Sequence, residues 1–161
     1  RRVLFRSAIL AVDTNDRTPS RGASKIDIQG LDASIAGLVG VSGDQILINF
    51  MVANPISKNV YISASRGRGP DATPIILRVD TSGKLTRLAL DGLKYQMVTL
   101  ADAPATASNA RQDPRTLTIT DMAYVNGNVL VAGLSNEEWS SALRSIPYPF
   151  KTAAKGSQIQ I

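Results

Sequence analysis

Short runs of apolar or alternating apolar and polar residues, the patterns of strands, recur along this chain between polar, Gly- and Pro-containing segments. Ala8-Ile9-Leu10-Ala11-Val12 is a short apolar run closed by Asp13-Thr14-Asn15-Asp16, which predicts a buried strand and a turn. Residues 17–25 are polar, with Pro19 and Gly22, and read as loop; residues 25–28 alternate and predict a brief strand. Residues 31–41 follow another pattern. Ile35, Leu38 and Val39 recur at helical spacing, Asp32 is the expected N-cap, and Gly40 and Gly43 are stop signals.

From Gln45 the pattern returns to strands. The runs 46–53, 60–65, 74–80 and 85–90 are separated by Asn54-Pro55, by Arg66-Gly67-Arg68-Gly69-Pro70-Asp71 and by Thr81-Ser82-Gly83-Lys84. They predict four consecutive antiparallel strands. Residues 91–115 contain Pro104 and Pro114 and read as a long connection. Alternation resumes over 116–125, Asn126-Gly127 is a strong hairpin signal, and 128–134 is its partner strand. Ser135-Asn136-Glu137-Glu138 has the form of a capping box. It predicts a short helix carrying Trp139 and Leu143 and ending before Pro147, with Tyr148 and Phe150 on an outer strand edge.

The two hairpins echo each other. Ile48-Asn49-Phe50-Met51-Val52-Ala53 aligns with Ile119-Thr120-Asp121-Met122-Ala123-Tyr124, and Asn59-Val60-Tyr61-Ile62-Ser63-Ala64 aligns with Asn128-Val129-Leu130-Val131-Ala132-Gly133. A four-stranded unit followed by the start of a similar one is the pattern of radial repetition. With the motifs at residues 48–55, 59–67 and 119–138, the chain resembles bacterial β-propellers of the NHL-like or lactonase-like sort over most of residues 8–150. The resemblance implies an all-β fold, a partial β-propeller of about two four-stranded antiparallel blades with a short inserted helix near 31–41. Residues 8–13 become the last strand of a preceding blade and 14–44 an inter-blade insertion. Residues 45–90 are then a blade, 91–115 an inter-blade loop and 116–161 an incomplete next blade. Such a piece leaves blade faces without neighbours, so it is expected to be marginal or aggregation-prone alone.

Composition narrows the function. The chain has 161 residues, 43% of them hydrophobic, and a formal charge of +5. Arg1-Arg2-Val3-Leu4-Phe5-Arg6-Ser7 reads as a translated sequencing adaptor, so residues 1–7 are taken as foreign and the rest as a piece of an environmental gene. Without those three arginines, 15 basic residues stand against 13 acidic ones, scattered and with few aromatics; nucleic acid is not expected as a partner. No Cys or His occurs, which excludes within these residues a Cys/His zinc site, a Cys nucleophile and a Ser-His-Asp triad. No apolar stretch approaches the ~20 residues of a membrane span.

The candidate chemistry is sparse. No cofactor is evident; Asn49 and Asp121 fall on the two expected inner strands, where amide and carboxylate oxygens could hold Ca²⁺. The expected role of both is local strand capping. Arg66 and Arg68 in a Gly-containing loop suit an anion, or pair with nearby acids such as Asp71. Glu137 and Glu138 are candidate acids or ligands over the channel. Asp13-Thr14-Asn15-Asp16 opens like an oxygen-rich metal loop but lacks the Gly and Glu downstream, so an Asx-type turn is expected. The long connections all fall on one face of a propeller of this kind, the face that carries ligands. The resemblance therefore implies a periplasmic or extracellular binding or scaffold platform for a small molecule or a protein, completed by missing blades of the same chain. A lactonase- or hydrolase-type enzyme with a divalent ion in the channel is the alternative.

Overall fold

The computed structural model describes residues 7–21, 25–107, 113–136, 141–151 and 157–160. The chain divides into two compact units, Thr14–Leu93 and a second formed by Arg1–Asp13 with Lys94–Ile161. Among the described residues strands, in antiparallel sheets, dominate the regular structure, with one α-helix.

The unit Thr14–Leu93 holds a four-stranded sheet in chain order, β2 (Ile46–Ala53), β3 (Val60–Arg66), β4 (Thr73–Val79) and β5 (Leu85–Arg87). This is the predicted meander, with its last strand shorter than expected. Ile62, Ala64, Ile75, Leu77 and Val79 alternate onto one face and are buried there. Helix α1 (Leu31–Val39) covers that face with Ile35 and Ala36. Burial of Ile35 alone contributes about 1.5–3 kcal/mol. The helix turns Leu31, Ile35, Ala36 and Val39 to the sheet and leaves Leu38 46% exposed, so the expected Leu38 face is corrected by about one residue. Its N-cap is Gly30 rather than Asp32, and Gly40 ends it at a φ of 71° with its N–H on the Ala36 carbonyl. Residues 25–28 form no strand; Ile26 and Ile28 pack on the core from a loop.

One irregularity matters for β2. Its register on β3 shifts between Ile48 and Phe50, and Asn49 is the extra residue of the bulge. Residues directly opposite share a face. Ile48 stands opposite buried Ala64, whereas Phe50 stands opposite Ser63 and Val52 opposite Tyr61, on the other face.

In the second unit β1 (Ala8–Val12) pairs with β6 (Tyr95–Thr99), and the Asp13 N–H donates to the Lys94 carbonyl at 2.9 Å. The expected connection over 91–115 thus contains a strand; Tyr95-Gln96-Met97-Val98-Thr99 has the aromatic and branched residues that favour one. A second four-stranded sheet runs in chain order through β7 (Asp121–Val125), β8 (Asn128–Leu134), β9 (Ser141–Pro147) and β10 (Ser157–Gln160). Ile9, Val98 and Leu100 meet Val131 and Ile146 in its core.

Residues 114–117 form a short 3-10 turn rather than the start of a strand, because Asp113 accepts from the Arg115 N–H and Pro114 suits the first turn. The helix expected to carry Leu143 is instead β9, which alternates Ala142, Arg144 and Ile146 into the core. The capping-box residues Glu137 and Glu138, and Trp139, lie outside the described residues. Asn126 and Gly127 take φ values of 48° and 79°, the type I′ turn that their sequence predicts.

Candidate functional site

The densest polar constellation gathers around Asp16, where the chain enters the unit Thr14–Leu93. Its carboxylate accepts from Ser57 Oγ at 2.7 Å, Tyr61 Oη at 2.8 Å, Asn59 Nδ2 at 3.1 Å and Asn54 Nδ2 at 3.2 Å. The Asn54 amide also donates to the Asp16 carbonyl at 2.8 Å. These donors are placed by the β2–β3 turn. Asn54 Oδ1 accepts from the Ile56 and Ser57 N–H groups, Lys58 takes a φ of 64°, and the Asn54 N–H returns to the Asn59 carbonyl. A second tie joins the Ser20 N–H to the Ile56 carbonyl at 3.1 Å.

The cluster is a clamp rather than a reactive centre. Ser57, Tyr61 and Asn54 all donate to Oδ2, and Asn59 reaches both Oδ1 and Oδ2, so the charge is held by N–H and O–H donors. Burial of Asp16 opposes its charge, but the donors Ser57, Tyr61, Asn59 and Asn54 together outweigh burial and hold the carboxyl below its usual range. Burial pushes the Tyr61 phenol up; the Thr14 hydroxyl opposes this and the Asp16 charge adds to it. Asp16 is therefore a poor general base. The Asp16 carboxylate ties this segment to residues about forty positions away.

The clamp predicts a pH dependence. A carboxyl whose folded pKa is depressed stabilises the fold above its unfolded value and loses that contribution as pH falls through the folded value. The loss should therefore begin below about pH 4. Asp16→Asn, which sets an amide against two amide donors, should cost about 2 kcal/mol at neutral pH. Denaturant unfolding between pH 2 and 7 checks both, since the variant should lose less than the parent between pH 4 and 2.

Asn49 sits in the β2 bulge and donates through Nδ2 to Ser65 Oγ at 3.0 Å. Asp121 opens β7 and accepts from the neighbouring Met122 N–H at 2.8 Å, a local strand-start bond. The two lie in different units. Arg66 ends β3, and Arg68 donates through Nε and Nη2 to the Asp44 carbonyl at 3.4 and 3.2 Å rather than to Asp71. The Gly67 N–H is engaged by the Gln45 carbonyl, so it is not turned to an anion. Among the described residues no three Asp, Glu, His or Cys side chains gather as a metal set, and no helix is long and apolar enough to cross a membrane. An open cleft of about 390 Å³ is lined by residues 74–76 of β4 and by residues 87–91.

An aromatic strip in the second unit escaped the sequence reading. Tyr124 and Tyr148 stand perpendicular with ring centroids 6.1 Å apart, and Tyr148 and Phe150 do so at 5.4 Å. Proximity of Tyr148 and Phe150 in sequence was visible; the contribution of Tyr124 required the β7–β8–β9 order. Likewise Asn54, Asn59 and Tyr61 all stood in the motifs quoted above, but nothing in the sequence named Asp16 as their common acceptor. Compared with known protein families, curated proteins and solved structures, the chain matches none.

Proposed function

We propose that this chain is a non-catalytic binding or scaffold module, built from propeller-type four-stranded sheets whose first strands pack against further protein. One observation carries the reading: both sheets present an exposed apolar first strand in the same register. Phe50, Met51 and Val52 on β2 are 59%, 53% and 54% exposed, and Met122, Tyr124 and Val125 on β7 are similarly open. Met51 faces Ile62 as Met122 faces Val131, and Phe50 faces Ser63 as Asp121 faces Ala132, matching the alignment of the two hairpins residue for residue. Small residues occupy the next shared position, Ala64 and Gly133.

β2 carries no charge and no proline along its eight residues, so of the devices by which edge strands avoid pairing it has the bulge at Asn49 alone. Such an edge is a surface for protein, and at free ends it drives association. The polar groups support the same reading. Among the described residues every buried side-chain nitrogen and oxygen has a partner, which suits a structural role for Asp16 and its neighbours.

The expected result is self-association of the purified chain at concentrations on the order of 10–100 μM. Placing lysine at Phe50 and Val52, on one face of β2, should reduce it about tenfold or more. Light scattering after size exclusion reads both. A parent chain that stays monomeric at those concentrations overturns the proposal.

A further inference from the structure

Sulfur in this chain is confined to three methionines, since no cysteine occurs. Methionine ordinarily fills gaps in a core. Here none of the three is buried. Met51 on β2 is 53% exposed, Met122 on β7 47% and Met97 on β6 44%. Two of them hold equivalent places. Met51 stands opposite Ile62 and Met122 opposite Val131, and both partners are fully buried. Each therefore marks the boundary between the core and the open first strand of its own four-stranded sheet. Met97 stands opposite Leu10 instead, in the two-stranded sheet.

An exposed thioether is a target for peroxides. The sulfur gives an electron pair to one oxygen of hydrogen peroxide. The S–O bond forms as the O–O bond breaks, and the second oxygen leaves as water, taking the proton of the first. Sulfur is oxidised by two electrons and the peroxide is reduced. With no thiol in the chain, no more reactive sulfur competes for the oxidant. The product is a polar sulfoxide, whose oxygen accepts hydrogen bonds from water and loses them when apolar surface covers it. On β2 that oxygen arises between Phe50 and Val52, in a strand with no charged side chain. Charge is a usual means of keeping an edge strand from pairing. A sulfoxide supplies polarity at the same place and can be reduced again.

We propose that Met51 and Met122 are peroxide-responsive switches, one on each four-stranded sheet. As thioethers they leave the first strand apolar and able to pack against protein; as sulfoxides they make it polar and release the partner. The proposal rests on the platform reading and adds its regulation. Packing and oxidation then oppose each other, because covered sulfur is out of reach of the oxidant and an oxidised strand resists being covered.

The test treats the full chain with hydrogen peroxide at about 1 μM and about 100 μM protein. Peptide mass spectrometry follows sulfoxide at each methionine. In the dilute chain Met51 and Met122 should oxidise within about threefold of the rate of free methionine. In the concentrated chain both should slow by about fivefold or more, while Met97, outside the first strands, keeps its rate. The oxidised chain should associate about tenfold or more weakly by light scattering. Dilute, it should bind about half or less of the apolar dye anilinonaphthalene sulfonate that the parent binds. Met51→Leu combined with Met122→Leu keeps both strands apolar and should lose these responses. Repair of the oxidised parent by the two methionine sulfoxide reductases, one for each epimer, should restore them without any substitution. Rates more than about tenfold below free methionine in the dilute chain, association that leaves both rates unchanged, unaltered or increased dye binding after oxidation, or a leucine variant that responds like the parent would each overturn the proposal. A parent that is monomeric before oxidation fails the platform reading instead, and the dye measurement on the dilute chain then decides the switch.

Discussion

Replacing Gly133 with alanine is expected to lower the melting temperature of the chain by roughly 10 °C or more. A Cβ at this position on β8 would run into the Thr118 carbonyl group and lie 2.8 Å from the Leu117 carbonyl oxygen. Those atoms belong to backbone, so no rotamer change relieves the clash. Nor can the backbone retreat. Thr118 is fully buried, its hydroxyl is bonded to the Arg115 carbonyl at 2.8 Å, and the next turn is tied by the Thr120 N–H to the Ala132 carbonyl at 2.9 Å. Overpacking ordinarily costs about 1–3 kcal/mol, and a clash against pinned backbone belongs at or above the top of that range. For a domain stable by about 5–15 kcal/mol the loss is large. A thermal scan reads it, and a variant melting within about 2 °C of the parent would show that β8 and the 3-10 turn do not approach this closely.

Gly133 also shows how far the sequence could be read. Its alignment with Ala64 was visible, and a glycine inside a strand signals close backbone approach. Which backbone approaches was not visible, because Thr118 stands on a segment that reads as strand and folds as a 3-10 turn. The meander over residues 45–90 was legible because its turns carry Pro, Gly and Asn at the places that need them. The β7–β8 hairpin was legible because Asn126-Gly127 admits positive φ at both positions. Local signals ended there. The pairing of β1 with β6 joins residues nearly ninety positions apart, and no turn announces it. The bulge at Asn49 cannot be seen in a run of apolar residues, yet it decides which face of β2 carries Phe50. The Asp16 clamp failed for the same reason as the aromatic strip: its parts are ordinary turn and strand residues until the sheet brings them together. Arg144 was hidden more completely, since a capping box ahead of it suggested a helix.

Arg144 is the residue whose loss should be most damaging in the second sheet. It lies mid-way along β9, with its side chain 4% exposed, opposite fully buried Val131. Its guanidinium reaches three chain segments at once. Nε donates to both oxygens of Asp102 at 3.0 and 2.8 Å, Nη1 to the Thr118 carbonyl at 3.3 Å, and Nη2 to the Leu134 carbonyl at 2.8 Å. The Asp102 carbonyl in turn holds the Asn136 N–H at 2.7 Å. The group therefore fastens the end of β8, the entry to β7 and the segment after β6 to one strand. Removing a buried ionic partner costs about 3–5 kcal/mol, chiefly because the groups left behind lose their donor. Arg144→Met should fall in that range while keeping most of the packed volume. Arg144→Lys should recover only part, because an ammonium cannot present a planar fork to three acceptors. Adding Asp102→Ala to Arg144→Met removes the stranded carboxylate but not the stranded carbonyls, so the double variant should be more stable than Arg144→Met alone and less stable than the parent. Urea unfolding of the four members of that cycle gives the coupling energy, expected at about 1–3 kcal/mol. A loss below about 1 kcal/mol for Arg144→Met would mean that β9 is held by its apolar residues alone, and that the guanidinium adds little to holding the three segments together.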